Sequence, residues 1–348
     1  MGPSLRPGAE RPQAHPARNA RSFDSARSAR ECGHNEAMDD GRPDDEFQFL
    51  PTQAAQLGLD RIPSVRRLTH TLPDGRSVSA LRYGDDSPVV TFLHGAGLNA
   101  HTWDTTVLAL GLPALAVDLP GHGDSSWRED AAYTGPTLAV DVAPALAAWT
   151  DRPQVLVGQS LGGLTAAAVA ARHPELVREL VVVDITPGID PNGDARQIQS
   201  FFAGPTDWAS RDELVERALS FGLGGSREAA TRGVFLNSRV RPDGRVEWKH
   251  HFAHLSSALA ADPSAAERVA AQHHAVRGAL AASGWDDLAA VTVPITLIRG
   301  ERGFVTPADA NEFRRRLPEA TVIDVPSGHN VQEELPADLG RRIADLAG

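Results

Sequence analysis

Short apolar runs alternate with helical segments along the chain from about Phe47 to the C-terminus. Most of the apolar runs are continuous, a pattern typical of parallel strands that are buried on both faces of a sheet. They lie at Val89–Leu93, Ala114–Val117, Gln154–Val157, Leu180–Val183, Ile295–Ile298 and Thr321–Val325. Helical patterns separate most of them, at Leu138–Trp149, Leu161–Arg172, Ala308–Arg316 and Ala337–Leu346. The alternation predicts an α/β fold with an open, mostly parallel sheet and helices on both faces.

Two stretches depart from this alternation. Val65–His70 and Ser77–Arg82 flank the turn signature Pro73-Asp74-Gly75, which predicts an antiparallel hairpin ahead of the parallel strands. Between Val183 and Ile295, about a hundred residues carry helical pattern without a strand-like run of comparable strength. A connection of this length predicts a helical cap inserted between the sixth and seventh strands. We expect it over the sheet edge where ligands of open α/β sheets bind.

The first 45 residues differ in composition from the rest of the chain. Pro, Ala, Ser, Gly and Arg are frequent there and large apolar residues are scarce, which predicts a disordered tail. The expected organisation is a tail at 1–45, a first core segment at 46–186, a cap at 187–290 and a second core segment at 291–348. Met38 precedes the ordered pattern, and a hypothesis is that translation starts there.

The composition argues against several classes of function. The formal net charge is −11, whereas surfaces that bind nucleic acid are built from clustered Lys and Arg. No uninterrupted apolar run approaches the roughly 20 residues that a membrane-spanning helix needs. Cys32 is the only cysteine, which rules out an intrachain disulfide and fits a reducing compartment. We therefore expect a cytoplasmic protein that binds neither nucleic acid nor membrane.

The strongest chemical signal is Gly158-Gln159-Ser160-Leu161-Gly162, a G-x-S-x-G pentapeptide. It follows the apolar run that ends at Val157 and precedes an alanine-rich helical pattern. A strand that turns abruptly into a helix forces the serine into a strained conformation, and the flanking glycines let the two backbones approach. The sequence therefore predicts Ser160 as a nucleophile at the top of the sheet, near a helix N-terminus.

Further segments accompany the pentapeptide. His94-Gly95-Ala96-Gly97 follows the first parallel strand pattern, with Trp103 shortly after it, and Asp118–Ser125 reads D-x-x-G-x-G-x-S after the next strand. Gly328-His329 follows the last strand pattern and precedes a helical one. Over about residues 65–348 the chain therefore resembles the α/β-hydrolase superfamily. The resemblance implies a capped, esterase-like serine hydrolase.

The resemblance implies a role for each matched position. Ser160 would be the nucleophile and His329 the general base, because a serine hydroxyl is a weak nucleophile until a base takes its proton. The oxyanion of the tetrahedral intermediate would bind the backbone N–H groups of Ala96 and Leu161. We expect His94, His101 and His122 to order loops rather than take part in the reaction. The supporting motif positions are His94, Gly95, Trp103, Gly158 and Gly162.

The acid of the triad is where the sequence departs from the family's pattern. Many relatives carry it in a G-x-x-D arrangement, at the position that Gly303 occupies here. Asp184 and Glu301 are the two carboxylates that could replace it. We favour Asp184, because relatives with the acid one strand earlier are known and the order Ser, acid, His is kept. The alternatives are that Asp184 only stabilises a local turn, or that Ser160 and His329 act as a dyad.

Three functions remain open on the sequence. The first is hydrolysis of a small to medium apolar carboxylic ester, lactone or thioester through an acyl-enzyme. The second is carbon–carbon bond hydrolysis or cofactor-free acid–base chemistry, and the third is ligand binding without catalysis. We predict a small-molecule substrate and no cofactor. We also predict no metal, because no carboxylate spacing completes a site at His250-His251 or His273-His274. The sequence gives no prediction of oligomeric state.

Overall fold

The computed structural model describes Gly2 and residues 45–189, 204–221, 224–261 and 283–348. Eight strands form the main sheet: β1 (Val65–Thr71), β2 (Ser77–Tyr83), β3 (Val90–Leu93), β4 (Ala114–Asp118), β5 (Gln154–Gln159), β6 (Val177–Val183), β10 (Ile295–Gly300) and β11 (Thr321–Val325). Three short strands form a second sheet: β7 (Asp207–Trp208), β8 (Ser238–Val240) and β9 (Val246–Trp248).

Helices cover the main sheet and make up just over half of the described residues between β6 and β10. Their bounds are α1 (Leu50–Gln56), α2 (Asp104–Leu110), α3 (Gly135–Trp149), α4 (Leu161–Arg172), α5 (Arg211–Ser220), α6 (Arg227–Asn237), α7 (His251–Ala261), α8 (Pro307–Arg316), α9 (Val331–Glu334) and α10 (Pro336–Ala347). Residues 283–290 are also helical, and 3-10 turns lie at Ala100–Trp103 and Pro174–Leu176. None of the described helices combines the length and apolar content that a bilayer span requires.

The main sheet has the spatial order β1-β2-β4-β3-β5-β6-β10-β11. β1 pairs antiparallel with β2, and β2 pairs antiparallel with β4, whereas every other neighbouring pair is parallel. The turn between β1 and β2 uses Gly75 at φ 86°, a conformation that glycine adopts without steric cost. The predicted open, mostly parallel sheet with an N-terminal hairpin is confirmed.

Burial on both faces explains the continuous apolar runs. All six residues of β5 are buried. Leu156 packs into a core cluster that includes Leu146 of α3, whereas Val155 and Val157 pack into a second cluster that includes Ile343 of α10. Successive side chains of a strand point to opposite faces, so both faces of β5 require apolar residues. The sheet therefore has one hydrophobic core on each side, and the carboxyl ends of its central strands share one edge.

The chain between β6 and β10, here called the insertion, contains short strands as well as helices. Besides α5, α6 and α7, it contains the β8–β9 hairpin, and β7 pairs antiparallel with β9. The hairpin turns at Asp243-Gly244, where Gly244 has φ 80°. Trp208 and Trp248 pack edge to face in a separate small core, with ring centroids 5.9 Å apart. Alternating residues around an Asp-Gly turn favour such a hairpin, which here accompanies the helices of the insertion.

Several sequence predictions are not tested by the described residues. Apart from Gly2 and Asp45, the tail at 1–45 lies outside them, as do Cys32, Met38 and His273-His274. The domain boundaries near residues 187 and 290 and the covering role of the insertion stay predictions.

Candidate active site

Ser160 lies at the sharp turn between β5 and α4, with φ 53° and ψ −121°. A positive φ is unfavourable for a residue with a Cβ, so the surrounding backbone must enforce this conformation. A Cβ on Gly158 would lie less than 3.0 Å from the carbonyl oxygen of Gly162, and one on Gly162 would meet that of Leu93 as closely. The glycines therefore allow β3, β5 and α4 to converge, and the strained turn presents the serine at the strand end.

His329 follows β11, and its imidazole lies beside the carboxylate of Asp184 at the end of β6. Nδ1 of His329 is 2.8 Å from Oδ2 of Asp184. The side chain of Asp184 is fully buried, whereas that of His329 is 15% exposed. Because a carboxylate accepts hydrogen bonds, Nδ1 carries the proton and Nε2 keeps a lone pair. This is the geometry of a general base oriented by an acid.

The carboxylate of Asp184 is fixed by the loop that follows β10. Asp184 has φ 49°, and its backbone N–H donates to the carbonyl oxygen of Ile298 at 2.8 Å. The N–H of Gly300 donates to Oδ1 at 3.0 Å, and the N–H of Phe304 donates to Oδ2 at 2.6 Å. Together with His329, these donors hold the carboxylate in one orientation, with Oδ2 facing the imidazole.

Gly303 occupies the position where the resemblance places an acid, and it leaves the space that Asp184 fills. A Cβ on Gly303 would lie less than 3.0 Å from both carboxylate oxygens of Asp184. Any residue larger than glycine would therefore displace the carboxylate. Glu301, the alternative acid, is exposed, and its backbone N–H donates to the carbonyl oxygen of Val325 at 2.9 Å. Of the two candidate acids, the structure brings Asp184 to His329.

Two residues that the sequence analysis did not single out hold the imidazole of His329. Nε2 of Gln159 lies 3.0 Å from Nε2 of His329 and donates to its carbonyl oxygen at 3.2 Å. The ring of Phe304 stacks on the imidazole, with centroids 3.6 Å apart and an interplanar angle of 12°. Among the described residues, no hydrogen bond joins Ser160 to His329. To accept a proton from Ser160, His329 would have to exchange the amide of Gln159 for the hydroxyl of Ser160.

The predicted oxyanion donors are the N–H groups of Leu161, next to Ser160 in the chain, and of Ala96, in the loop after β3. Leu161 is the first residue of α4, so its N–H has no acceptor within the helix. Ala96 is exposed in the loop after β3. At the preceding residue, a Cβ on Gly95 would lie 3.2 Å from the Cβ of Ser160 and closer still to Oε1 of Gln159. The loop therefore passes directly beside the serine, and glycine is required at that point.

The insertion is hydrogen-bonded to this same loop. Nδ2 of Asn237, at the end of α6, donates to the carbonyl oxygen of Gly97 at 2.6 Å. In return, Nδ2 of Asn99 donates to the carbonyl oxygen of Leu236 at 2.9 Å. These reciprocal bonds fix the loop that carries Ala96. No motif indicated Asn237, because the contact joins residues far apart in the sequence.

The loop histidines and Trp103 have structural contacts. His94 is buried, its Nε2 accepts from the N–H of Leu119 at 3.0 Å, and burial lowers its pKa. Burial also lowers the pKa of His122, whose ring lies 5.0 Å from that of His94. Burial alone would lower the pKa of His101. The charge of Asp104 and the hydrogen bonds with Asp104 and Glu46 outweigh burial and raise the pKa to about 9. Trp103 packs against Phe92 in the core, with ring centroids 4.8 Å apart.

The described residues contain no group of three or more His, Cys, Asp or Glu side chains that could hold a metal ion. The adjacent histidines of the insertion face different surroundings. His250 is buried beside Trp248, with ring centroids 5.6 Å apart. His251 stacks on Trp127 at 4.6 Å and pairs through Nδ1 with the hydroxyl of Tyr133 at 2.7 Å.

Comparison with known proteins identifies the family. Residues 88–336 match the family described as the alpha/beta hydrolase fold. The chain is 37% identical over 304 residues to the esterase Rv0045c of Mycobacterium tuberculosis, covering 85% of this chain and 93% of that protein. A solved structure of that esterase superposes with a TM-score of 0.71 at 35% identity, covering 87% of this chain and 98% of that chain.

A more distant relative is the mouse sn-1-specific diacylglycerol lipase ABHD11. It is 28% identical over 266 residues, which cover 72% of this chain and 78% of the lipase. The chain belongs to the alpha/beta hydrolase fold family, and the resemblance stated from its motifs is confirmed.

Proposed function

We propose that this chain is a carboxylic-ester hydrolase that works through an acyl-enzyme on Ser160, with His329 as general base and Asp184 as its orienting acid. The observation that carries the proposal is the buried Asp184–His329 pair, joined at 2.8 Å next to a serine held at φ 53°. The esterase Rv0045c, 37% identical over most of both chains, supports the same chemistry.

The proposed reaction has two half-reactions. Nε2 of His329 takes the proton of Ser160 as Oγ attacks the ester carbonyl carbon, and the N–H groups of Ala96 and Leu161 stabilise the oxyanion that forms. The C–O bond to the alcohol breaks, and His329 returns the proton to the leaving oxygen. Water then attacks the acyl-enzyme by the same route, which releases the carboxylic acid and restores Ser160.

Asp184 orients the imidazole of His329 in both half-reactions. Its carboxylate keeps the proton of His329 on Nδ1, so that Nε2 is free to accept, and it stabilises the imidazolium that forms. The alternative of ligand binding without catalysis rested on the glycine at position 303. The carboxylate of Asp184 lies in the space next to that glycine, which supports catalysis over this alternative.

The proposed substrates are small to medium carboxylic esters, lactones or thioesters. The test is hydrolysis of p-nitrophenyl esters of increasing acyl length by the wild type and Ser160→Ala, together with labelling by a fluorophosphonate probe. We expect ester hydrolysis and labelling in the wild type and the loss of both in Ser160→Ala. Wild-type inactivity on every ester, or a full rate in Ser160→Ala, would overturn the proposal.

A further inference from the structure

The amide of Gln159 lies against the imidazole of His329 inside the candidate site. Gln159 is the last residue of β5, immediately before Ser160, and it is 1% exposed. Its amide nitrogen lies 3.0 Å from Nε2 of His329, 3.2 Å from the carbonyl oxygen of His329 and 3.4 Å from Oδ1 of Asn330. The proposed reaction uses Nε2 of His329, so the group that occupies this nitrogen in the resting enzyme affects the reaction.

The neighbours of Gln159 fix the orientation of its amide. The carbonyl oxygen of His329 can only accept a hydrogen bond, so the atom of Gln159 that faces it is the nitrogen. Nδ2 of Asn330 donates to the carboxylate of Glu333 at 3.3 Å, so its Oδ1 is the atom turned towards Gln159. Oε1 of Gln159 lies against Gly95 and has no hydrogen-bond partner among the described residues. Because a buried oxygen without a donor is unfavourable, the bonds of the nitrogen must determine the orientation.

This arrangement fits one protonation state of His329. The amide nitrogen of Gln159 is a donor without an available lone pair, so Nε2 of His329, its nearest contact, must accept from it. Nδ1 of His329 faces the carboxylate of Asp184 and carries the proton. An imidazolium has protons on both nitrogens, and its Nε2–H would point at the N–H of Gln159. The contacts therefore favour the neutral ring with its proton on Nδ1, the form that a general base requires.

The two side chains that bond the imidazole have opposite effects on its charge. The carboxylate of Asp184 stabilises the imidazolium, whereas the amide of Gln159 stabilises the neutral ring, because a hydrogen bond to the neutral form disfavours the charged one. The other charged groups near His329 have their own partners or are exposed: Glu333 bonds Thr102 and Asn330 and is close to Arg232, Glu334 pairs with Arg302, and Glu301 is exposed. Among the described residues, Gln159 is therefore the bonded group that opposes protonation of the ring.

We propose that Gln159 is a positioning residue that keeps His329 neutral in the resting enzyme and so extends ester hydrolysis to lower pH, an inference that rests on the proposed esterase function. When Ser160 attacks, the ring leaves the amide and Nε2 takes the hydroxyl proton. The imidazolium cannot return to the amide, because two N–H groups would then face each other. It returns only after the proton has passed to the leaving oxygen or, in the second half-reaction, back to Ser160. The amide therefore favours the forward proton transfer.

The first test is the pH profile of kcat/KM for p-nitrophenyl butyrate in the wild type and Gln159→Glu. Glutamate replaces the donor by a carboxylate, ionised above about pH 5, that accepts a bond from the protonated Nε2. The midpoint of the acid limb should rise by about one pH unit, which lowers kcat/KM about tenfold below both midpoints, relative to each protein's plateau. The matched control is Gln56→Glu, which adds the same charge at the exposed end of α1 and should leave the midpoint unchanged.

A second variant removes the donor without adding a charge. Gln159→Met keeps a side chain of similar length, and the midpoint should rise by about half a pH unit because one hydrogen bond to the neutral ring is lost. A purely structural role would lower the plateau and leave the midpoint in place. A midpoint that stays the same or falls in Gln159→Glu would overturn the inference. If Gln159→Glu does not fold, the same outcomes in Gln159→Met decide.

A third measurement uses the wild-type protein. An N–H···N hydrogen bond gives a scalar coupling between its two nitrogens, which NMR detects in ¹⁵N-labelled protein. We expect this coupling between Nε2 of Gln159 and Nε2 of His329 above the midpoint of the acid limb, and its loss below that midpoint as the ring takes up a proton. Absence of the coupling above the midpoint would also overturn the inference.

Failure of this inference is distinguishable from failure of the proposed function. Fluorophosphonate labelling above the midpoint reports on Ser160 as a nucleophile and does not require Gln159 to set the pH range. A protein that is labelled at Ser160 but keeps the same midpoint in both variants overturns the role of Gln159 alone. A wild-type protein that is not labelled overturns the esterase proposal as well.

Discussion

The main sheet and the insertion are built differently, and they contribute different groups to the candidate site. The strand ends of the sheet hold Ser160, Asp184 and His329 through strained turns and backbone hydrogen bonds. The insertion combines helices with strands of two or three residues and contacts the loop beside the site through Asn237 of α6. In the proposed mechanism the core therefore positions Ser160, Asp184 and His329, whereas the insertion positions the loop that carries Ala96.

The largest effect is expected at the core, from Asp184→Asn. Asparagine keeps the size of the side chain but no longer holds the imidazole of His329 with Nε2 unprotonated, so kcat for p-nitrophenyl butyrate should fall about 10³-fold to 10⁴-fold. The control is Glu301→Gln, an exposed carboxylate near the same site, which should change kcat by less than about twofold. Steady-state kinetics measure both, and equal losses would contradict the role given to Asp184.

The next largest effect concerns the space at Gly303. Gly303→Asp forces a Cβ and a second negative charge against the carboxylate of Asp184, and the displaced imidazole should lower kcat about 10²-fold. The double variant Asp184→Gly with Gly303→Asp moves the acid to the loop after β10. It should recover at least about tenfold in kcat over Asp184→Gly alone, a coupling that a double-mutant cycle measures. Wild-type activity in Gly303→Asp would refute the steric argument.

A smaller effect is expected in the insertion, from Asn237→Ala. The variant removes the hydrogen bond to the carbonyl oxygen of Gly97, which positions the loop carrying Ala96. Because the proposed role of that loop is to stabilise the transition state, kcat should fall about tenfold while KM changes little. Asn311→Ala on α8 is the control for loss of an exposed asparagine. A change in KM alone would assign Asn237 to substrate binding instead.

The smallest effect concerns stability, and it depends on pH. Burial lowers the pKa of His250 to about 3, far below the value near 6.5 of the unfolded chain. The unfolded state therefore binds more protons below pH 6.5, so the stability that the neutral ring contributes is full above pH 6.5 and is lost progressively as pH falls towards 3. Between pH 7 and pH 5 the loss should be about 2 kcal/mol.

His250→Asn isolates this contribution, because its side-chain oxygen can replace Nδ1 as acceptor for the N–H of Ala253. Urea unfolding at the two pH values should show a smaller difference in the variant than in the wild type. Burial lowers the pKa of His94 and His122 as well, so part of the acid sensitivity should remain. An identical pH dependence in both proteins would mean that His250 does not carry the effect.

The sequence predicted the core better than the insertion for a physical reason. Strands such as β5 are buried on both faces, so their apolar runs are continuous and easily recognised. In the insertion, β8 and β9 have three residues each, too few for a clear period, and only the Asp-Gly pair between them is typical of a hairpin. The serine turn was predictable because its glycines are adjacent to Ser160 in the chain.

The contacts around His329 could not be predicted in the same way. Gln159 lies in the pentapeptide at a position that any residue can occupy, and only the fold directs its amide to His329. The loss of the acid at Gly303 looked like a defect in sequence, but in space it is the condition for Asp184 to fit.

The most direct test of the central claim is to trap the acyl-enzyme. The protein is mixed with p-nitrophenyl acetate, quenched in acid within the first turnover and digested for mass spectrometry. The account predicts a burst of p-nitrophenolate equal to the enzyme concentration and an acetyl group on the peptide that contains Ser160. Release of p-nitrophenolate without a burst, with no acetyl group on Ser160 and an undiminished rate in Ser160→Ala, would contradict it.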